Sequence, residues 1–268
     1  MITNTEENVS RDLRRRKLAA LVSTRGFVRV TDASFELGVS DVTIRGDLTA
    51  LEAAGALLRV HGGAMPRGDR EPSLESSIET AAAAKAAIGT AAAGLVASGQ
   101  SIYVDAGSTA MALARALVDR HDLHDLVVVT SGLTIALALE PALPRFTVVV
   151  TGGTLRPLQH SLVNPFAAPM LDSLRLDVAF IGCNGIHPEH GVTNVNLPEA
   201  EIKTRVLQRS GRGVLLADAS KLGNTEVAVI APTAAFDTLV TAGEPPTGLV
   251  AGLRAQGMSV MLADSLDR

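Results

Sequence analysis

Aromatic residues are scarce: the chain has no tryptophan, one tyrosine and six phenylalanines in 268 residues. A core must therefore be built from Val, Leu, Ile and Ala, and the length is ample to bury one. It suits two domains, or one domain with a small appendage. Cysteine is nearly missing too. Cys183 alone excludes an intramolecular disulfide and fits a reducing cytoplasm. With no base partner to be named for it, it reads as a small buried hydrophobe.

Long apolar runs are also wanting. The N-terminal stretch MITNTEENVSRDLRRRK has no apolar segment, so no secretory signal is expected. The longest uncharged run, between Lys85 and Asp105, holds Ser, Thr, Gln and three glycines. It predicts a buried helix followed by a strand, not a membrane span. Net charge is −4, but unevenly spread: +2 through Arg70 and −6 beyond it. A small module able to approach an anion is thus joined to a larger acidic body.

What is present falls into two patterns. The first 60 or so residues are helix-patterned. RDLRRRKLAALVSTRG carries Leu13, Leu18, Leu21 and Val22 on one side with the basic cluster Arg14 to Lys17 nearby, and Gly26 closes it. A short helix is expected across Thr31 to Leu37, stopped by Gly38. Ser40 then caps a third helix running to about Ala54. Stepping 100° per residue puts Ile44, Leu48 and Leu51 on one face. The opposite face holds Val42, Gly46 and Thr49, flanked by Thr43, Arg45 and Ala50. The following LLRVHGGA reads as a strand and turn, with Arg59 and His61 placed to reach a phosphate. Three short helices and such a wing suit a helix-turn-helix whose third helix enters the major groove. A small helical interaction domain with a solvated face is the other reading of the spacing alone.

From Ala64 to about Glu79 the composition shifts to prolines, glycine and mixed charge, which predicts a linker. Beyond it, SIYVD, LVVVT, FTVVVT, DVAFIG, GVLLAD, VAVIA, FDTLVT and MSVMLAD alternate with alanine-rich or amphipathic stretches. Continuously apolar runs suit strands covered on both faces, so an α/β domain with a largely parallel sheet is expected. The domains are placed at 1–64, with a linker over 65–79 and the α/β body over 80–268.

Polar or glycine-rich turns follow these runs: Asp105 to Thr109, Thr130-Ser131, Thr151 to Gly153, Gly182 to Gly185 and Asp218 to Lys221. Ligands of open parallel sheets bind beyond the carboxyl ends of the strands. In DAGST, Gly107 lets a phosphate approach while Ser108, Thr109 and backbone N–H groups donate to it; alternatively Ser108 merely caps the helix. Glu199 and Lys203, four apart, share a helix face. They form either a surface ion pair or a carboxylate for sugar hydroxyls beside an ammonium for phosphate. His160, His187 and His190 lie in turns without metal-ligand spacing, so no metal is expected, nor a cofactor. No residue pair carries a specific catalytic signature.

GFVRVTDASFELGVSDVTIRGDLTALEAAGALLRVHGGA resembles the winged helix-turn-helix of DeoR-family bacterial transcriptional regulators, whose pattern is VS-x-x-TIRRDL followed by L-x-x-x-G-x-L-x-R-x-HGGA. The resemblance implies that Ser40, Asp41, Thr43 and Arg45 belong to the DNA-contacting helix. Gly46 stands where the family has a second arginine, and Ala33-Ser34 where it has Leu-Ala. Either the helix lies closer to DNA at Gly46 and reads a different base step, or binding leans more on Arg14 to Lys17 and the wing. K-x-x-I-G from Lys85, DAGST, TGGTLR, D-x-AFIG-x-NGI, G-x-TN-x-N-x-x-EA-x-x-K and D-x-SK-x-G are similar to the family's effector domain. That domain is itself similar to ribose-5-phosphate isomerase and CoA transferase folds. Position by position, the resemblance suggests Asp105, Gly107, Ser108, Thr109, Gly152, Gly153, Asn184, Gly185, Glu199, Lys203 and Lys221 as pocket residues. Thr130 and Ser131 join them from the turn after their strand. It implies a repressor of carbohydrate-metabolism genes that leaves double-stranded operator DNA on binding a phosphorylated sugar. A homo-oligomer, dimer or tetramer, is expected, because one small reading head covers too few base pairs. A sugar-phosphate isomerase is the alternative.

Overall fold

Two units make up the chain, Met1–Glu71 and Pro72–Arg268. The computed structural model describes residues 11, 13–22, 28–53, 56–60, 62–66, 72–246 and 248–263.

In the first unit, helix α1 covers residues 13–22, β1 Val28–Arg29, α2 Val30–Leu37 and α3 Asp41–Ala53. The hairpin β2 (Leu57–Val60) and β3 (Gly63–Pro66) follows, and β1 pairs with β3 to complete a three-stranded antiparallel sheet. Gly38 ends α2 in the left-handed region (φ 66°), where glycine carries no Cβ penalty. Among the described residues the core is Leu18, Val22, Val28, Val30, Ala33, Ile44, Leu48, Leu57 and Ala64, none of them aromatic. Each full-sized aliphatic side chain buried there contributes roughly 1.5–3 kcal/mol. Leu13, expected on the packed side of α1, is 53% exposed. It precedes Leu18 by five residues and so points about 140° away from it. The helix stop expected at Gly26 and the expected end of the third helix at Ala54 lie outside the described residues.

The described residues of the segment expected as a linker belong partly to regular elements. Strand β3 reaches Pro66, and Leu74–Glu79 form helix α4. Ser73 caps α4 by accepting from the Ser76 amide (3.3 Å), and Leu74 is buried. Prolines and mixed charge masked a cap followed by an anchor.

The second unit continues with α5 (Ala82–Ala93), β4 (Ser101–Val104), α6 (Ser108–Asp119), β5 (Leu126–Thr130), α7 (Leu133–Ala138) and β6 (Phe146–Val150). A small hairpin, β7 (Thr154–Arg156) and β8 (Ser161–Val163), precedes α8 (Ala167–Asp172). Then come β9 (Leu176–Gly182), β10 (Gly185–His187), β11 (Gly191–Asn194), α9 (Leu197–Gln208), β12 (Ser210–Leu216), β13 (Ala228–Ala231), β14 (Thr238–Thr241), α10 (Leu249–Ala255) and β15 (Ser259–Leu262).

Seven of these strands make a parallel sheet in the order β15-β14-β12-β9-β4-β5-β6. Side chains alternate between its faces. Ile102, Val104, Val178 and Phe180 pack with α5, α6 and α7, while Tyr103, Ala179 and Ile181 pack with α8, α9 and α10. Helices α5 and α6 touch closely at Gly89, where a Cβ would come within 2.5 Å of the Ala112 carbonyl carbon. One expected strand falls elsewhere. VAVIA (β13) pairs antiparallel with β11, which pairs with β10, in a separate small sheet. Its residues alternate, Ala228 and Ile230 buried and Val229 61% exposed, so only one face is covered. Among the described residues, no helix is long and apolar enough to cross a membrane.

Candidate functional site

Helix α3 presents to solvent the face that its spacing predicts. Ile44 and Leu48 are buried, whereas Val42 is 75% exposed and Arg45, Gly46 and Thr49 are also exposed. Ser40 accepts from the Thr43 amide (3.2 Å), and the two hydroxyls share a 2.9 Å hydrogen bond, which fixes the first turn beside half-buried Asp41. Thr49 donates to the Arg45 carbonyl (2.8 Å), and the Arg59 guanidinium on β2 donates to Thr49 Oγ1 (2.8 Å). The wing arginine thus stands against the outward face of the third helix. A Cβ added to Gly46 would meet no atom within 4 Å, so packing does not demand glycine there. His61 lies outside the described residues.

Sequence reasoning missed Asp47. It is 3% exposed and takes the Nε of Arg14 on Oδ2 (2.6 Å) and that of Arg15 on Oδ1 (2.9 Å). Burial works to raise its pKa, but both arginines outweigh it and hold the carboxyl below its ordinary value. Half of the basic cluster is therefore engaged inside the unit, leaving Arg16 and Lys17 on the exposed side of α1.

In the second unit the strand order reverses between β4 and β9, and ligands of open sheets gather at such points. Asp105 follows β4 there, 2% exposed. Its Oδ2 accepts from the Gly182 amide at the end of β9 (2.9 Å) and faces Lys203 Nζ at 3.1 Å. Lys203 also donates to the Gly182 carbonyl (3.0 Å) and to Asn194 Oδ1 (3.1 Å). Three acceptors meet the three N–H donors of the ammonium, so it points inward with none to spare. Burial lowers the Lys203 pKa, while Asp105 and Glu199 more than offset this and hold it above its ordinary value. Burial pushes Asp105 upward, against the pull of Lys203.

Glu199 is 7% exposed and is no surface ion pair. Its Oε1 accepts from Ser161 Oγ and from the Arg156 guanidinium. Burial raises its pKa, but Lys203, Ser161 and Arg156 prevail and the carboxyl titrates below its ordinary value. Arg156 and Ser161 face each other across the β7–β8 hairpin. Neither was nominated from sequence, although TGGTLR contains the arginine.

The remaining nominated positions divide. Gly107 is the N-cap of α6 (φ 115°) and no side chain caps that helix, so Ser108 does not act as its cap. Ser108 and Thr109 are half-buried in its first turn, and Ser108 lines a groove of about 390 Å³ with Lys85, Thr90, Met111 and Arg115. Ser131 shares a buried hydrogen bond with Tyr103 (2.8 Å). Lys221 ends a short 3-10 turn after β12 and is half-buried. Thr130, Asn184, Gly153 and Gly185 have structural tasks. Thr130 Oγ1 accepts from the Gly132 amide (3.0 Å), and Asn184 Oδ1 accepts from the Val195 amide (3.1 Å). A Cβ on Gly153 would fall 1.9 Å from the Val163 carbonyl oxygen, and one on Gly185 2.5 Å from that of Asn224. A Cβ on Gly152 would touch the Phe166 side chain at 3.0 Å.

Burial pushes the Cys183 thiol up to about 12, which suits a packing role. The β10–β11 turn brings donor atoms of His187, Glu189 and His190 within 4.8 Å of one another. The Nδ1 of His187 already accepts from the Glu189 amide (3.2 Å), so its lone pair is not presented to an ion.

Comparison with known proteins agrees with the two units. The family model of the DeoR-like helix-turn-helix domain matches residues 14–66, and that of the DeoR C terminal sensor domain matches residues 80–242. The chain is 33% identical to the HTH-type transcriptional regulator GolR of Listeria innocua, over 94% of this chain and 98% of that protein. It is 27% identical to the HTH-type transcriptional repressor CsqR of Escherichia coli, over 92% and 93% of the two chains. Among solved structures, ribose 5-phosphate isomerase A of Methanocaldococcus jannaschii matches 52% of this chain and 53% of its own, at 20% identity and a TM-score of 0.37. That likeness says nothing about chemistry.

Proposed function

We propose that this chain, which belongs to the DeoR family of helix-turn-helix transcriptional regulators, represses carbohydrate-metabolism genes and leaves its operator when a phosphorylated sugar or related metabolite occupies the second unit. The observation that carries the DNA-binding half is the exposed face of α3, with Val42, Arg45, Gly46 and Thr49 opposite buried Ile44 and Leu48. Ser40 and Thr43 would donate to the backbone at the start of that helix, Asp41 would accept from a base edge beside them, and Arg59 and His61 would add phosphate contacts from the wing. The protein would act in the cytoplasm as a dimer or tetramer, so that two heads read two half-sites.

For the effector, the phosphate would sit at the first turn of α6, over Gly107, Ser108 and Thr109, with Lys221 as the cation. Sugar hydroxyls would bond Glu199 and its hairpin partners. Lys203 would serve as scaffold, since its donors are spent on Asp105, Gly182 and Asn194. Gly152, Gly153, Asn184 and Gly185 would shape the walls, and Thr130 and Ser131 the floor. An isomerase reading is weaker, because a general base works best with a pKa near the working pH and Glu199 is held low.

A thermal-shift screen of sugar phosphates on the full chain, followed by operator binding with each hit, tests the proposal. Hits that weaken operator binding support it. Sugar phosphates that all leave operator affinity unchanged remove the sensing half, and turnover of ribose 5-phosphate restores the isomerase.

A further inference from the structure

Both partners of Glu199 Oε1 belong to one closing pair. Arg156 is the last residue of β7, Ser161 is the first of β8, and the two are opposite in register. Only Pro157, Leu158, Gln159 and His160 lie between them, and three of these four hold the start of the second unit. The Leu158 carbonyl accepts from the Leu74 amide (2.9 Å). Gln159, itself buried, donates from Nε2 to the Pro72 carbonyl (2.7 Å). His160 Nε2 lies 3.5 Å from Glu75 Oε1. The turn is stiff as well as short. His160 sits in the left-handed region (φ 49°), uncommon for a residue with a Cβ. Its carbonyl accepts from the Leu133 amide (2.9 Å), and Leu162 donates to the Ser131 carbonyl (2.8 Å).

We propose that the β7–β8 hairpin is the coupling element of the sensor: it ties the state of the Glu199 carboxylate to the hold on residues Pro72 to Glu75, from which the chain leads back to the DNA-reading unit. This rests on Glu199 lying in the effector site, as proposed above. A sugar hydroxyl that bonds Glu199 must share it with, or take it from, Arg156 and Ser161. Either change moves the base of the hairpin, and a four-residue turn has too little slack to leave its tip unmoved. A ligand can shift the DNA-binding equilibrium only through a difference of this kind between the two states. Gln159 is therefore a positioning residue that touches no effector.

The test needs neither sugar nor DNA. Hydrogen exchange of the full-length chain is followed in peptides covering 72–79 and 154–163 for Glu199→Gln, Gln159→Ala, the double variant, and Glu189→Gln as a control in the β10–β11 turn. Glu199→Gln is expected to speed exchange in 72–79 by roughly fivefold or more, the lower end of ordinary coupling between sites. Gln159→Ala should do the same, and the double variant should add nothing further, because both act along one route. Exchange in 72–79 that stays at the wild-type rate while 154–163 loosens in Glu199→Gln would overturn the proposal. So would full additivity in the double variant, or an equal effect from the control. If Glu199→Gln unfolds the unit, Ser161→Ala, which removes one partner and keeps the carboxylate, is read in the same way. Failure here leaves the sensing proposal standing; a failed sugar screen removes the effector that would drive the hairpin and leaves only the mechanical link between Glu199 and residues 72–79, which these variants read separately.

Discussion

Asp47 binds Arg14 at 2.6 Å through its Oδ2, and this contact joins the third helix of the reading head to the first. Its other oxygen takes Arg15, so one carboxylate of α3 fixes two cations of α1.

Asp47→Asn should lower the stability of the first unit by about 2 kcal/mol at neutral pH, the ordinary worth of hydrogen bonds to a charged group. Because the folded pKa lies below the ordinary 3.8, the contribution is full above that value and fades as pH falls through the folded pKa. Exchange of α1 and α3 amides in the wild type and the variant should therefore differ strongly at pH 7 and converge at acid pH. An undiminished gap in acid would contradict the assignment.

Gly46 has open space above it, so Gly46→Ala should stabilise the helix by about 1 kcal/mol. Gly46→Arg should bind operator DNA more tightly, with the slope of log K against log salt steeper by about 0.9 for one added phosphate contact. An unchanged sequence preference would show that glycine there weakens binding without altering what is read.

Lys203→Met leaves Asp105 buried without its counter-charge, and a loss of roughly 3–5 kcal/mol is expected. Adding Asp105→Leu should recover much of it, which chemical denaturation of the second unit would reveal as strong non-additivity. Independent penalties from the two changes would mean that the pair is not a unit.

Ser108→Asp puts an anion at the first turn of α6, where the helix dipole favours it by about 0.3–1 kcal/mol. The variant should melt no lower than the wild type. It should also lose the response to whichever sugar phosphate shifts the wild type most. A retained response would move the phosphate away from α6.

The face of α3 was legible because helical periodicity is local: Ile44, Leu48 and Val42 declare themselves by spacing. DAGST was legible as a strand-end turn for the same reason. The partners were not. Arg156 and Glu199 are 43 residues apart, and nothing local couples them. The surface ion pair considered for Glu199 and Lys203 dissolves because each finds a buried partner from another element. VAVIA misled because short apolar runs look alike in a doubly covered sheet and in a half-exposed one, and only the alternation of Ala228, Val229 and Ile230 separates them. Helix α4 was hidden by composition, although Ser73 before Leu74 is a legible cap.

The neighbours β4 and β9 have a bearing on how the protein is made. Ser101 and Asp177, hydrogen-bonded across them at 2.7 Å, are 76 residues apart. On a ribosome adding about 5–20 residues per second, the inner edge of β4 waits on the order of 4–15 s for its partner. Throughout that interval half a sheet presents an unpaired apolar border, the kind of surface on which nascent chains stick to one another. Fragments that stop before β9 should accordingly emerge as aggregates, and the full-length product should depend on chaperones until its central pair has closed.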